Sequence, residues 1–145
     1  MVTKPGAGGR QQPYIPAGNG DSSGEYTSFD SSSMDARVKI LSSIVGDEEV
    51  VKYAYKKHKP PLQESAHLKQ RIAERKIPRI YIADALLKPL EKSDVKIDGL
   101  GRKSITYYSM NVTVTINPDN GNIITVNKTR RNIRNKLKEK YHVSR

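Results

Sequence analysis

The chain is 145 residues long, enough for one ordinary domain and too short for two large ones. It contains no cysteine, which excludes disulfides, thiolate metal sites and a thiol nucleophile; no apolar run approaches the roughly 20 residues of a membrane-spanning helix, and no signal-peptide core follows Met1. Its net charge of +11 is uneven: residues 1–60 hold eight basic against seven acidic residues, residues 61–145 eighteen against eight, and Lys128 to Arg145 eight against Glu139 alone. That balance suits a polyanionic partner (nucleic acid, an anionic membrane surface or an acidic protein), although a charge run by itself is more often a solvated face.

Residues 1–33, rich in Gly, Pro and Ser, have little apolar material to offset the entropy of ordering. They are expected to form a flexible leader, with the folded domain over 34–145. Val38, Leu41 and Val45 stand at helical spacing, with Ser33 or Asp35 as a cap and Gly46 as a stop. A second helix begins with Asp47, Glu48 and Glu49 and ends at basic residues before Pro60 and Pro61, matching the helix dipole at both ends. A third is predicted over 62–75, and Pro78 opens a fourth, running from Arg79 to Leu87 and closed by Pro89.

After Glu91 the apolar period falls from 3.6 to 2. "DVKID", "KSITYYS", "MNVTVTIN" and "IITVN" read as strands, with Asn120-Gly121 at the tip of the last turn. Strict alternation places Val112, Val114 and Ile116 on one face. In the last strand it groups Ile124 with Val126, and sets Ile123, Thr125 and Asn127 opposite. A basic segment follows, helical from about Arg131. The fold class is therefore α+β: N-terminal helices on an antiparallel meander of about four strands, with a basic helical tail.

The third helix carries the most chemistry. His67, Arg71 and Arg75 recur every fourth residue and form one row, beside the row of Leu68 and Ile72 that should face the sheet. His67 would then stand at the margin of the core, where desolvation and neighbouring cations disfavour its charged form. An imidazole beside fixed positive charge suits proton transfer at a phosphodiester, and the arginines suit the extra charge of its transition state. The plainer reading is an exposed basic helix with an incidental histidine. His58, His67 and His142 show no metal-ligand spacing, and no metal or other cofactor is expected.

The order "ESAHLKQRIAERKI", "IADALLKP", a strand pair, "NPDNGNIITVNKT" and a basic "RNKLK" resembles the polymorphic-toxin ribonucleases of the barnase–EndoU–colicin–RelE (BECR) group, in the branch fused to phage and other delivered proteins. Those domains carry H-x-x-x-R-x-x-x-R-x-I on an early helix and a last hairpin like "NPxTGxIITVxPT". This chain has Lys76 where the family has Gly after the second Arg, and Lys128 near the family's Pro. The leader's "YIPAGNGDSSGEYTSF" resembles the junctions that precede such toxin domains.

The resemblance implies a metal-independent endoribonuclease acting on RNA, with tRNA the expected target. It maps the catalytic histidine onto His67, and Arg71 and Arg75 onto the basic positions after it. Thr125 falls at the family's Thr and is assigned to phosphate or ribose contact. Tyr108, on the face opposite Tyr107, is assigned to stacking or proton donation. Lys69, Lys128, Arg130, Arg131 and Arg134 would hold the polyanion. The further expectations are an acidic immunity or antitoxin partner, a monomer, and delivery within a larger protein into a target bacterial cytoplasm. The alternatives are a non-catalytic nucleic-acid-binding domain and a structural domain of a phage or secretion particle.

Overall fold

The computed structural model describes residues 29–141. The fold is α+β and divides into two compact units, one of them Asp30–Lys128 and the other containing the C-terminal helix. The first unit holds α1 (Ala36–Val45), α2 (Asp47–Lys57), α3 (Ala66–Glu74) and α4 (Arg79–Leu87). Five strands follow: β1 (Glu91–Lys92), β2 (Lys96–Ile97), β3 (Lys103–Tyr108), β4 (Val112–Ile116) and β5 (Ile123–Lys128). All pairings between them are antiparallel, in the order β1-β3-β4-β5, with β2 continuing along the β1 side of β3.

The helices begin and end where local chemistry directs. Asp35 caps α1, its carboxylate accepting from the Arg37 amide, and Gly46 (φ 92°) both ends α1 and precedes α2. Ser65 caps α3 by accepting from the Leu68 amide at 3.1 Å. The third helix is shorter than 62–75 because residues 60–64 run extended beside the sheet instead. Helix α4 shows no apolar stripe. Ile80, Tyr81, Ile82, Ala83, Asp84 and Ala85 are all buried, so it is a core helix covered on every side. It packs against β3 and β4 on one side and α2 on another, while α3 packs on β5. Ile105, Tyr107, Val112, Val114, Ile116 and Val126 form the apolar face of the sheet.

The last strand departs from strict alternation. Thr115 pairs with Thr125 but Ile116 pairs with Ile123, so Ile124 is an extra residue in β5. This bulge turns Ile123 into the core (4% exposed) and Ile124 out of it (51%), correcting the expected grouping of Ile124 with Val126. Thr125 keeps its expected place opposite Val126. The termini of the unit also differ from composition. Residues 30–33, read as the end of the leader, make a short 3₁₀ turn anchored by buried Asn111, which accepts from the Asp30 amide (2.8 Å) and donates to its carbonyl (2.9 Å). Residues 1–28 of the leader lie outside the described residues.

Two ties hold helices and sheet in register. The extended 60–64 segment meets the β4–β5 hairpin: Gln63 N–H donates to the Gly121 carbonyl (3.0 Å) and the Gln63 carbonyl accepts from Ile123 N–H (3.1 Å). Beside it, the Glu64 side chain is buried (3% exposed), accepts both arms of Arg79 from α4, and takes the hydroxyl hydrogen of Tyr55 from α2. Burial alone would raise the Glu64 pKa, but the Arg79 and Tyr55 donors outweigh it and hold it below the ordinary carboxylate range. Burial, then the Glu64 carboxylate, pushes Tyr55 far up.

The other unit contributes Phe29 and the stretch 129–141 to the described residues. Helix α5 (Arg131–Tyr141) buries Arg134 and Leu137, and has Lys138 and Lys140 in its last turn, where they complement the helix dipole. No helix among the described residues is long and apolar enough to cross a membrane.

Two stability effects are expected. Gly121 has φ 78°, and a Cβ there would stand 2.2 Å from the Pro61 carbonyl oxygen. Gly121→Ala must therefore push the 60–64 segment off the hairpin, and should lower stability by ~3 kcal/mol or more in urea denaturation. Asp84, buried in α4, is pushed up to about 6 by burial, against the hydrogen bond it accepts from the Asp35 amide. A carboxyl raised above its unfolded value favours folding below about pH 4 and loses that contribution as pH rises through 6. Asp84→Asn, uncharged and able to keep the Asp35 bond, should gain ~1–3 kcal/mol over wild type at pH 7 and little at pH 4. An equal gap at both pH values would contradict this.

Candidate nucleic-acid interface

Helix α3 presents the row expected of it, with two changes. His67 is exposed on the helix surface, not set into the core margin. Its Nε2 accepts a hydrogen bond from Arg71 Nε at 3.3 Å, which requires that nitrogen to be unprotonated. Arg71 also pairs with Glu74 at 3.6 Å. Arg75 lies one residue past the helix and turns a different way, its Nη1 donating to the Val126 carbonyl of β5 at 2.8 Å. The row is thus divided. Arg71 orients the histidine, and Arg75 fastens the end of the helix to the sheet.

How α3 ends explains the division. Lys76 N–H donates to the Ala73 carbonyl and Ile77 N–H to the Ile72 carbonyl (both 3.1 Å), with Lys76 at φ 53°. This is the closing pattern in which a left-handed residue reverses the chain, a position that favours Gly. A lysine there costs on the order of 1 kcal/mol. Buried Ile77 completes the closure, and its neighbour Pro78 starts α4 at once. The sequence departure at Lys76 therefore falls on the residue whose backbone is the least comfortable in the segment.

The polar face of the sheet holds the other assigned residues. Thr106, Thr115 and Thr125 stand opposite one another across β3, β4 and β5, with Thr106 Oγ1 and Thr115 Oγ1 3.0 Å apart. Tyr108, Thr113 and Asn127 form the next row. Thr125 is half-buried and its hydroxyl is 3.5 Å from Asn127 Nδ2. Among the described residues, no hydrogen bond links His67 or Arg71 to Thr125 or Tyr108. The α3 row borders the edge strand, while Thr125 and Tyr108 lie on the sheet's polar face. Lys69 is exposed on α3, and Lys128 is half-buried at the end of β5. Arg130, Arg131 and Arg134 belong to the other unit; the first two are exposed, whereas Arg134 is buried and so does not present a surface cation as expected.

A histidine that carried no sequence signal is also well ordered. His58 Nδ1 donates to the Pro60 carbonyl (3.0 Å), so its Nε2, when neutral, accepts from the Tyr107 hydroxyl (3.1 Å). The rings meet edge to face, and Lys92 Nζ stands 5.6 Å from the Tyr107 ring centre. Burial raises the Tyr107 pKa. Both ring nitrogens of His58 are used in holding α2's end against β3, so the pair reads as structural. Assigning Tyr108 to the open face leaves Tyr107 for the interior, where it lies. Its partner, 49 residues away, leaves no local pattern.

Among the described residues, no group of three His, Cys, Asp or Glu side chains is placed to hold a metal ion. The chain matches no family model, no curated protein and no solved structure.

The divided row predicts unequal stability effects. Arg75→Ala leaves the Val126 carbonyl without its donor and loosens α3, and should cost ~1–2 kcal/mol. Arg71, half-exposed and paired with half-exposed Glu74, should cost within ~0.5 kcal/mol when replaced by Ala. Urea midpoints that shift equally would show that Arg75 does not fasten the helix.

Proposed function

We propose that the chain is a metal-independent endoribonuclease of the toxin type, acting on RNA, with tRNA its expected target. The observation that carries this reading is the His67–Arg71 pair: an exposed imidazole oriented by a guanidinium, on a helix packed against the edge of a polar-faced sheet. Such a pair has the parts for phosphodiester transesterification. His67 Nε2 would exchange the Arg71 hydrogen bond for that of a ribose 2′-OH and accept its proton as the oxygen attacks the adjoining phosphorus. Arg71 would meet the charge that develops on the phosphoryl oxygens, and the Tyr108 phenol is the assigned donor to the 5′-oxygen leaving group. The product would be a 2′,3′-cyclic phosphate, and DNA would be inert because it lacks the nucleophile.

The basic excess of residues 61–145 supports a polyanionic substrate held without base reading. The same excess supports neutralisation by a small acidic partner protein, since opposite charge speeds association and a ribonuclease must be restrained in the cell that makes it. Delivery within a larger polypeptide rests on the leader's resemblance to toxin junctions alone.

The second reading is a nucleic-acid-binding domain without catalysis. What favours it is the division of the site: one arginine of the row is bound to the Val126 carbonyl, and among the described residues no second acid–base side chain hydrogen-bonds to His67.

Purified chain incubated with bulk tRNA in EDTA is expected to produce fragments ending in cyclic phosphate. His67→Ala should reduce the rate on the order of 10²-fold or more with an unchanged circular dichroism spectrum, because His67 is exposed. A folded variant that cleaves at the wild-type rate would remove His67 from the mechanism. A wild-type chain that binds tRNA without cutting it would establish the second reading.

A further inference from the structure

A groove of about 460 Å³ opens on the polar face of the sheet, at the end where β3 meets the β4–β5 hairpin, and its walls are unbalanced between donors and acceptors. Asn117 Oδ1 accepts from the Asp119 amide (2.8 Å) and Asn120 Oδ1 from the Asn122 amide (2.9 Å). A backbone N–H can only donate, so these bonds fix which end of each side chain is the carbonyl. What each asparagine has left is its Nδ2 group, for which no acceptor stands among the described residues. Lys103 and Ser104 line the same groove, and the bulged Ile124 gives it an apolar side.

The carboxylate of the groove is already engaged. Asp98, the carboxylate lining the groove, takes the Leu100 amide (2.8 Å), the Arg102 amide (2.9 Å) and Arg102 Nε (2.7 Å). Those bonds, the Arg102 amide first, hold its pKa below the ordinary range. Lys103 is only loosely engaged, 3.7 Å from a well-exposed Asp119 carboxylate. Turn-forming asparagines would by themselves account for the two bonded carbonyls. They do not account for two amide donors, a lysine and a hydroxyl all lining one groove. The complementary ligand is rich in acceptors and carries negative charge, with an apolar portion to lie on Ile124.

We propose that this groove is a subsite for one nucleotide of a single-stranded polynucleotide. The phosphodiester oxygens are held by the Asn117 and Asn120 amides and Lys103, and the base lies against Ile124. This rests on the reading of RNA as substrate and adds to it a point of grip away from His67. With Arg102 and Lys103 matched by Asp98 and Asp119, the groove has little net charge of its own. Its hold therefore comes from placed donors, and most of the salt dependence of binding should arise elsewhere on the chain.

The test uses the full chain and a fluorescent 2′-O-methyl oligoribonucleotide, which lacks the attacking hydroxyl, read by anisotropy. The double variant Asn117→Asp, Asn120→Asp keeps both carbonyl-type caps and turns the donors into anionic acceptors. Its affinity should fall about tenfold or more, the equivalent of about 1.4 kcal/mol. Lys103→Ala, which removes the loose Asp119 pair, should also weaken binding and lower the salt slope by about one. Lys52→Ala, on α2 and paired with Glu49, should leave binding unchanged. Folded groove variants that bind like wild type overturn the subsite, and if wild type still cleaves tRNA, the ribonuclease reading survives that failure. Groove-dependent binding by a chain that cleaves nothing supports the subsite and removes the ribonuclease. Displacement of the probe by inorganic phosphate at the same phosphate concentration as competing oligonucleotide would overturn the polynucleotide assignment.

Discussion

The position of every assigned side chain on α3 depends on the crossing of residues 60–64 over the β4–β5 hairpin. Two backbone hydrogen bonds from Gln63 join that segment to Gly121 and Ile123, and Gly121 alone leaves room for the Pro61 carbonyl. The next residue, Glu64, is drawn into the core by Arg79 and Tyr55, and the one after it, Ser65, caps α3. Within four residues the chain is fixed to the sheet, to α4 and to α2, and then begins the helix carrying His67. A buried carboxylate is costly unless its oxygens are satisfied, and here three donor groups satisfy it. Loss of any of these contacts would shift the start of α3, and the imidazole with it, without touching the imidazole itself.

Much of this was legible because the signals are local. Leu68 and Ile72 at helical spacing, Pro78 before α4 and the Asn120-Gly121 turn each act within a few residues. Strand alternation was read correctly where one face is uniformly apolar, as in Val112, Val114 and Ile116. It failed at Ile123 and Ile124, because two adjacent isoleucines fit either parity and only the pairing with Ile116 selects the bulge. The ordered turn at residues 30–33 was hidden for a similar reason. Its serines match a leader in composition, and the anchor is Asn111, 81 residues away from Asp30. Asp84 illustrates the same limit, since a lone acid in an apolar helix carries no mark of the α1 amide it accepts.

For the candidate site, the residues on α3 were found by spacing, but the division of labour among them was not. Four-residue spacing puts His67, Arg71 and Arg75 on one stripe only while the helix lasts, and it ends at Glu74. Past that point the backbone turns through Lys76, and Arg75 follows the sheet instead of the histidine. The groove was missed because its donors come from a turn and from the start of β3, well before it in the chain. The only local trace is the density of asparagine between 117 and 122, which reads equally well as turn chemistry.

The bulge at Ile124 has a bearing on how the chain behaves in concentrated solution. The segment Ile123 to Asn127 is uncharged and rich in β-branched residues, and it forms an outer strand of the sheet. A flat strand of that composition is a template on which further copies add by backbone pairing. The extra residue breaks the regular spacing of its outward amides and carbonyls, Gln63 occupies one end, and Arg75 blocks the Val126 carbonyl. The same features that seat α3 therefore act as a guard against fibrous self-assembly, keeping an intrinsically adhesive sequence paired within its own chain.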